Sequence, residues 1–384
     1  MREPERIAPA AARLRAVGAE PGRAFLERSE VVEGALAALV ARQHVLLLGP
    51  PGTAKSMLAD ELCRRIEGAT PFAWLLTKFT TPDEIFGPVS LRALENDEYR
   101  RVTTGKLPEA HVAFLDEVFK ASSSILNALL AILNERRFHD GRAPVEVPLL
   151  TLFGAANELP EEDELAAVQD RFLLRFVVDY LAEDWQFLRM LSAAPPALSA
   201  RISLDELRVL QEAADDVEVP DAVLRSVAEI RTELRRRGVV ASDRRWRQAV
   251  GLLRALALVR GRDRVGDDEL LFLEHVLWRD PAERPAVSAA LREIVHGFDE
   301  RLQEVLFQGR ELGEYAARDW DSPEEKARAR VEVETKLRQL LRQVDEIERQ
   351  AREAGREVPA AADARGELQA IRSGATASGP VGRA

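Results

Sequence analysis

Short apolar runs alternate with longer amphipathic stretches through the first half of the chain. The runs occupy residues 44–48, 72–76, 112–115, 149–155 and 172–178. Their length is typical of buried strands, and the intervening segments carry apolar residues at helical spacing over 23–42, 56–66 and 125–134. Strands that alternate with helices predict an α/β fold, in which a five-stranded parallel sheet has helices on both faces.

Two segments interrupt this alternation and read as hairpins. In the first, residues 89–94 would pair with 99–103 around a polar turn. The second turns at Asp140-Gly141, a dipeptide that favours tight hairpin turns, and is followed by alternating apolar and polar residues at 145–147.

Beyond Asp179 the strand pattern stops and helical spacing continues. Near the C-terminus, apolar residues step by 4, 3, 4, 3 and 4 from Val333 to Ala351. This run is shorter than three heptads, which favours an intramolecular helical hairpin or bundle. We therefore expect a flexible arm, an α/β domain, an all-α lid, a C-terminal helical domain and a disordered tail, at residues 1–20, 21–180, 181–280, 281–372 and 373–384.

Composition narrows the classes of function. The 384 residues carry 54 basic and 65 acidic side chains, a net charge of −11, which argues against nucleic-acid binding through bulk electrostatics. The single Cys63 excludes an intramolecular disulfide, and five histidines argue against a histidine-built metal centre. No apolar run is long enough for a transmembrane segment and the N-terminus lacks a signal-like stretch, so we expect a cytoplasmic protein.

A candidate phosphate-binding loop lies between the first strand and the following helix. It nearly fits the P-loop pattern G-x-x-x-x-G-K-[ST], in which backbone N–H groups and a helix N-terminus face the phosphates. We expect Lys55 to reach the β- and γ-phosphates and Ser56 to ligate Mg²⁺. Ala54 replaces the second glycine of the pattern, and we expect a helical φ there. The predicted nucleotide-binding set is Gly49, Pro50, Pro51, Gly52, Thr53, Ala54, Lys55, Ser56, Met57 and Asp116.

Two carboxylates follow the third apolar run directly. Asp116 ends a strand downstream of the P-loop, where an aspartate can hold Mg²⁺ through water. Glu117 is then free of the metal and can act as a base on the attacking water. The pair predicts nucleotide hydrolysis.

The order of these motifs resembles the AAA+ ATPases, and within them the MoxR family, of which RavA-type proteins form one branch. The resemblance covers about residues 20–280 and rests on 49–56, 81–88, 107–110, 114–117, 132–136, 155–160 and 170–172. It implies an AAA+ P-loop core with ATP or ADP and Mg²⁺ as cofactors, and it identifies the two hairpins as the helix-2 and pre-sensor-1 inserts. RavA-like proteins often insert a small β module among their C-terminal helices, but residues 285–372 show no strand pattern.

The resemblance also implies roles for single residues. Asn157, at a strand end, matches the sensor-1 residue that contacts the γ-phosphate and the lytic water. Arg171 matches an arginine finger that inserts into the next subunit's site, with Arg175 as the alternative. Arg244 matches the sensor-2 residue that reaches the γ-phosphate from the lid, with Arg245 as the alternative.

The function implied is ATP hydrolysis by a homo-hexameric ring. Such a ring would remodel a partner protein, or insert a metal or cofactor into it, with a von Willebrand factor A (VWA) domain protein as the expected partner. One alternative is a nucleotide-gated scaffold with little turnover. A nucleic-acid motor is a further alternative, which the negative charge disfavours.

Overall fold

The computed structural model describes residues 4–141, 143–160, 163–192, 199–320, 322–353, 356 and 358–376. Within it the chain forms two compact units. Unit 1 comprises Met1–Pro220 and Gly238–Val287, and unit 2 comprises Asp221–Arg237 and Ser288–Ala384.

The strands share short, mostly apolar sequences. They are β1 (His44–Leu48), β2 (Ile66–Glu67), β3 (Pro71–Leu75), β4 (Val112–Asp116), β5 (Arg137–Asp140), β6 (Ala143–Glu146), β7 (Thr151–Ala156), β8 (Phe172–Val177) and β9 (Ile202–Ser203). Five of them form one parallel sheet in the order β3-β4-β7-β1-β8. Every residue of β1 and β7 is buried, as expected for central strands covered on both faces. The predicted five-stranded parallel sheet is confirmed.

The helices surround this sheet in unit 1 and make up most of unit 2. They are α1 (Pro4–Ala24), α2 (Ser29–Ala41), α3 (Lys55–Arg64), α4 (Pro82–Phe86), α5 (Leu91–Leu94), α6 (Ser123–Glu135), α7 (Asp163–Gln169), α8 (Asp184–Ser192), α9 (Leu204–Ala214), α10 (Asp221–Arg236), α11 (Asp243–Val259), α12 (Asp267–Leu271), α13 (Arg284–Ala317), α14 (Pro323–Glu353) and α15 (Ala360–Thr376). No helix within the described ranges is long and apolar enough to cross a membrane.

The expected flexible arm at residues 1–20 is wrong, because α1 occupies this segment. Ala10, Leu14 and Val17 are buried at helical spacing, so one face of α1 belongs to the core. The helix is also tied at its C-terminal end, where Glu20 accepts a hydrogen bond of 2.6 Å from the buried Arg65 guanidinium. The Ala- and Arg-rich composition concealed this narrow apolar stripe.

Of the two predicted hairpins, the structure contains the second but not the first. The expected first hairpin, residues 89–103, is wrong: the short helix α5 occupies one of its arms, and a single bridge joins Val89 to Arg101. The second hairpin is confirmed as the antiparallel pair β5–β6. The Arg101 backbone N–H donates to the Asp140 carboxylate at 2.7 Å, which links the two inserts.

Unit 2 has its own core. The heptad-spaced residues of α14 are buried against α13 and α15, so the predicted intramolecular bundle is confirmed. The division differs from the expected boundaries, since α10 belongs to unit 2 whereas α9, α11 and α12 belong to unit 1. At the expected tail boundary, α15 continues through Ser373 to Thr376, and residues 377–384 lie outside the described residues.

Candidate active site

The phosphate-binding loop follows β1 and leads into α3. Gly49 adopts φ +152°, and a Cβ atom there would lie 2.0 Å from the Val178 carbonyl oxygen. Gly52 has φ +83°. These two positions require glycine for different reasons, close backbone approach at the first and a left-handed turn at the second. The loop therefore has the strand–loop–helix geometry that presents N–H groups to an anion.

The expected helical φ of Ala54 is wrong. Ala54 has φ +65° and ψ +22°, in the left-handed region, and stands directly before the first residue of α3. Its Cβ atom makes this conformation costlier than it would be for glycine. Ala54 thus adopts a left-handed conformation at the position where the P-loop pattern has glycine, the residue that adopts it most easily.

Lys55 is buried and turned back onto the loop. Its Nζ atom donates to the carbonyl oxygens of Gly49 and Pro50, both at 2.7 Å, and lies 3.4 Å from Thr53 Oγ1. Burial lowers the pKa of the Lys55 ammonium, while the charges of Asp116 and Glu117 oppose this shift. The loop carbonyls thus bind the Lys55 ammonium at a position where an anionic ligand can replace them as hydrogen-bond acceptors.

The paired carboxylates lie at the carboxyl end of β4. The Glu117 N–H donates to Asp116 Oδ1 at 3.0 Å, and Asn157 Nδ2, one residue beyond β7, donates to Glu117 Oε1 at 2.7 Å. Glu117 itself has φ +53°, a strained conformation of the kind found at functional sites. The structure therefore brings together three of the predicted site residues.

Lys120 is a site residue that the sequence reasoning missed. Its Nζ atom lies 3.2 Å from Glu117 Oε1, the same oxygen that Asn157 contacts. Both contacts thus hold the same carboxylate oxygen, and among the described residues Oε2 has no such partner. The available signal was a lysine three residues after Glu117 in a chain with six lysines and 48 arginines.

The residues expected to bind Mg²⁺ each offer an oxygen donor. The Ser56 hydroxyl is exposed in the first turn of α3, and Asp116 is partly exposed at the end of β4. The negative charge of Asp116 opposes the lowering of the Lys55 pKa by burial. Hydroxyl and carboxylate oxygens are ligands that Mg²⁺ prefers, so these residues fit the ion.

The predicted arginines lie at the opposite edge of the sheet. In the β1–β8 pairing, Phe172 lies beside His44 at the start of β1, and Val177 lies beside Leu48 at its end. Arg171 precedes Phe172, whereas the phosphate-binding loop follows Leu48. At about 3.3 Å per residue, the length of β1 separates the two by roughly 16 Å. Arg171 therefore stands far from the loop of its own chain, and its Nε is buried without a hydrogen-bond partner among the described residues.

Arg244 lies at this same edge. Its guanidinium pairs with the Asp170 carboxylate at 2.5 Å, beside Arg171 in the chain. We expected it to reach the γ-phosphate from the lid. Here its guanidinium lies beside Asp170, at the amino edge of the sheet.

The two alternative arginines are bound to backbone oxygens. Arg245 is buried and donates to carbonyls of Val276, Phe172 and Leu173 at 2.6 to 2.9 Å. Burial lowers the pKa of its guanidinium to about 10 although Asp170 opposes the shift. Arg175, within β8, is also buried and donates to the Trp278 carbonyl. Arg245 also pairs with the Asp170 carboxylate at 3.2 Å. These buried contacts indicate packing roles for Arg245 and Arg175, whereas Arg171 is partly exposed and Arg244 is exposed.

Arg28 and the segment after β8 complete the loop's surroundings. The largely buried Arg28 guanidinium donates to the Asp179 carbonyl, and its charge lowers the pKa of Lys55. The Tyr180 hydroxyl donates to the Pro51 carbonyl at 3.4 Å. No sequence motif indicated these contacts, because they depend on long-range packing.

A histidine lies in a separate charged group. His275 Nε2 is 3.5 Å from a Glu30 carboxylate oxygen and 3.6 Å from one of Glu274. The ring packs between Phe176 and Phe272, with centroids 4.6 and 4.9 Å away. The geometry is that of a packed histidine with two acidic neighbours.

The chain is similar in sequence to known proteins. A family model described as "MoxR domain in the MoxR-vWA-beta-propeller ternary systems" matches residues 12–212, and one described as an AAA lid domain matches 222–291. Two uncharacterized proteins of Methanocaldococcus jannaschii are 41% and 40% identical, over 72% and 71% of this chain and 73% and 74% of theirs. Chaperone MoxR1 of Mycobacterium tuberculosis is 30% identical over 64% of this chain and 69% of its own.

A solved structure agrees in fold. A crystal structure of a Cytophaga hutchinsonii protein with a provisional ATPase assignment matches with a TM-score of 0.60 at 17% identity. The match covers 75% of this chain and 96% of that one.

Proposed function

Because the chain belongs to the MoxR family of AAA+ ATPases, we propose that it hydrolyses ATP at sites that two copies of the chain complete together. The observation that carries this proposal is the position of its charged groups. The phosphate-binding loop and the carboxylates lie at the carboxyl edge of the sheet. Arg171 and Arg244 lie at its amino edge.

At the carboxyl edge, one copy supplies the nucleotide site. Backbone N–H groups of the loop and the N-terminus of α3 bind the phosphates, and Lys55 exchanges its loop carbonyls for the β- and γ-phosphates. Ser56 and Asp116 would hold Mg²⁺, which would supply positive charge to neutralise the phosphates. We also propose that ATP hydrolysis requires Mg²⁺.

Glu117 and Asn157 act on the attacking water. The Glu117 carboxylate is held through Oε1, so Oε2 accepts the proton of the water. When ATP is bound, the Asn157 amide can turn from Glu117 to the γ-phosphate. Lys120 then keeps the carboxylate in place through its own ion pair.

A neighbouring copy supplies Arg171 and Arg244. A guanidinium beside the transferred phosphoryl group neutralises developing charge and contributes 10³–10⁵ in rate in related phosphoryl-transfer enzymes. Each copy gives its arginines to one neighbour and receives them from another, an arrangement that closes into a ring. We propose a homo-hexamer.

The ring would act on a partner protein. The matching family model describes systems in which a MoxR domain accompanies a VWA protein, and a relative carries the name chaperone. We therefore propose a chaperone-like remodelling or metal- and cofactor-insertion role with a VWA-domain partner. Assignment to the RavA-like branch is a hypothesis within this proposal.

Mixing two inactive variants tests the shared site. Lys55→Ala loses the phosphate contact but keeps the arginines, and Arg171→Ala loses the finger but keeps the loop. Each alone should hydrolyse ATP at least 10³-fold more slowly than wild type. An equimolar mixture should recover about a quarter of the wild-type rate, since random assembly pairs an intact loop with an intact finger at one interface in four.

The exposed Arg208 is the matched control, because Arg208→Ala removes an arginine of the same unit that pairs only weakly with Asp205. It should hydrolyse at the wild-type rate. A mixture that stays inactive, or an Arg171→Ala variant that keeps its rate, would refute the shared site. Binding of ATP without turnover by the wild type would point instead to a nucleotide-gated scaffold.

A further inference from the structure

Helix α8 presents an apolar surface that no described residue of its own unit covers. None of its nine residues, all within the described ranges, is buried. Five large apolar side chains on it are 47–66% exposed, and the neighbouring Tyr180 is 61% exposed. The five are Trp185, Phe187, Leu188, Met190 and Leu191.

The size of this surface matches an interface. Taking roughly 200 Å² for each full side chain, the six expose on the order of 700 Å². A stable protein–protein interface buries about 800 Å² per partner. A helix of nine residues is also too short to be stable alone in water. Both considerations indicate that α8 is covered in the working protein.

The position of α8 indicates what covers it. The segment leading into the helix lies against the phosphate-binding loop, since Tyr180 contacts Pro51 and the Asp179 carbonyl binds Arg28. The Ala182 N–H donates to the Glu27 carboxylate. If the proposed function holds, the neighbour that supplies Arg171 must sit at this edge of the sheet.

We propose that the apolar surface of α8 docks against a second copy of this chain, the copy that donates its arginines to the adjacent nucleotide site. This inference rests on the proposed function. It adds the surface that holds the two copies together, whereas the arginines act on the nucleotide.

Charge placed on α8 tests the proposal. Leu188→Glu should raise the concentration for half-assembly with ATP more than tenfold, measured by light scattering. The monomer should still bind a fluorescent ATP analogue as the wild type does, because no buried residue changes. Leu91→Glu is the matched control: the same substitution on an exposed short helix of the same unit, with 77% exposure, should assemble normally.

A second readout follows Trp185 directly. Its emission should shift to the blue as the wild type assembles, and Trp185→Phe should remove that part of the shift.

Assembly of Leu188→Glu at wild-type concentrations, or an unchanged Trp185 signal on assembly, would overturn the docking proposal. If that variant assembles but no longer binds a VWA partner, the patch serves a different occupant and the proposal is again overturned. A wild type that stays monomeric with ATP while hydrolysing it would overturn the shared site itself, which distinguishes the two failures.

Discussion

Replacing Ala54 by glycine should stabilise the protein, against the usual effect of glycine at the start of a helix. The left-handed φ of +65° costs an alanine about 1–2 kcal/mol relative to glycine. Glycine in turn loses about 0.4–1 kcal/mol through its greater freedom in the unfolded chain. The difference predicts that Ala54→Gly raises the free energy of unfolding by about 0.5–1 kcal/mol.

Urea unfolding followed by circular dichroism measures this change as a shift in midpoint at constant slope. Ala59→Gly is the internal control, because Ala59 lies in the interior of α3. There the same substitution should destabilise by at least about 1 kcal/mol, because Ala59 is also buried and loses packing. If Ala54→Gly also destabilises, the strain assigned to Ala54 is wrong, and the loop takes a helical φ at that position.

Three further predictions follow from the contacts. Arg244→Ala should lower the ATPase rate by about 10²-fold with less than about 1 kcal/mol lost in urea unfolding, whereas Arg245→Ala should cost about 3–5 kcal/mol because its buried network is broken. Lys120→Ala should lower kcat about fivefold with unchanged KM, which corresponds to about 1 kcal/mol. Lys120→Arg should restore kcat, and an equal loss in both variants would contradict an ion-pair role. Hydrogen bonding from a buried arginine lowers the pKa of Glu20 to about 2, so its stabilisation is full above its ordinary pKa of 4.5 and disappears as pH falls toward 2. The urea midpoints of wild type and Glu20→Gln should therefore converge over that range, and a constant gap would refute the assignment.

The sheet could be predicted from sequence because four of its five strands are short runs of mostly buried apolar residues, whereas the edge strand β3 alternates in burial. The carboxyl-edge site could also be predicted, since each of Lys55, Asp116 and Asn157 stands immediately beyond or near a strand end. Parallel strands bring such ends together whatever the rest of the fold does.

Other features depend on contacts between distant segments. The left-handed backbone of Ala54 is determined by the three-dimensional path of the loop. The burial of one face of α1 is determined by residues elsewhere in the chain, which the composition of α1 does not identify. The place of Arg244 beside Asp170 follows from packing of α11 near the start of β8. No local pattern encodes that placement.

Placing donor and acceptor groups at opposite edges of one sheet makes association directional. In the head-to-tail ring proposed above, two adjacent copies share only one interface, so each copy completes the site of one neighbour only. A pair therefore holds one finished site and one unfinished, and an open row always lacks one at its end. Only ring closure completes the last site, so the ATPase rate per subunit should rise again when the ring closes. A partner protein that holds the ring open would inactivate one subunit without contacting its nucleotide.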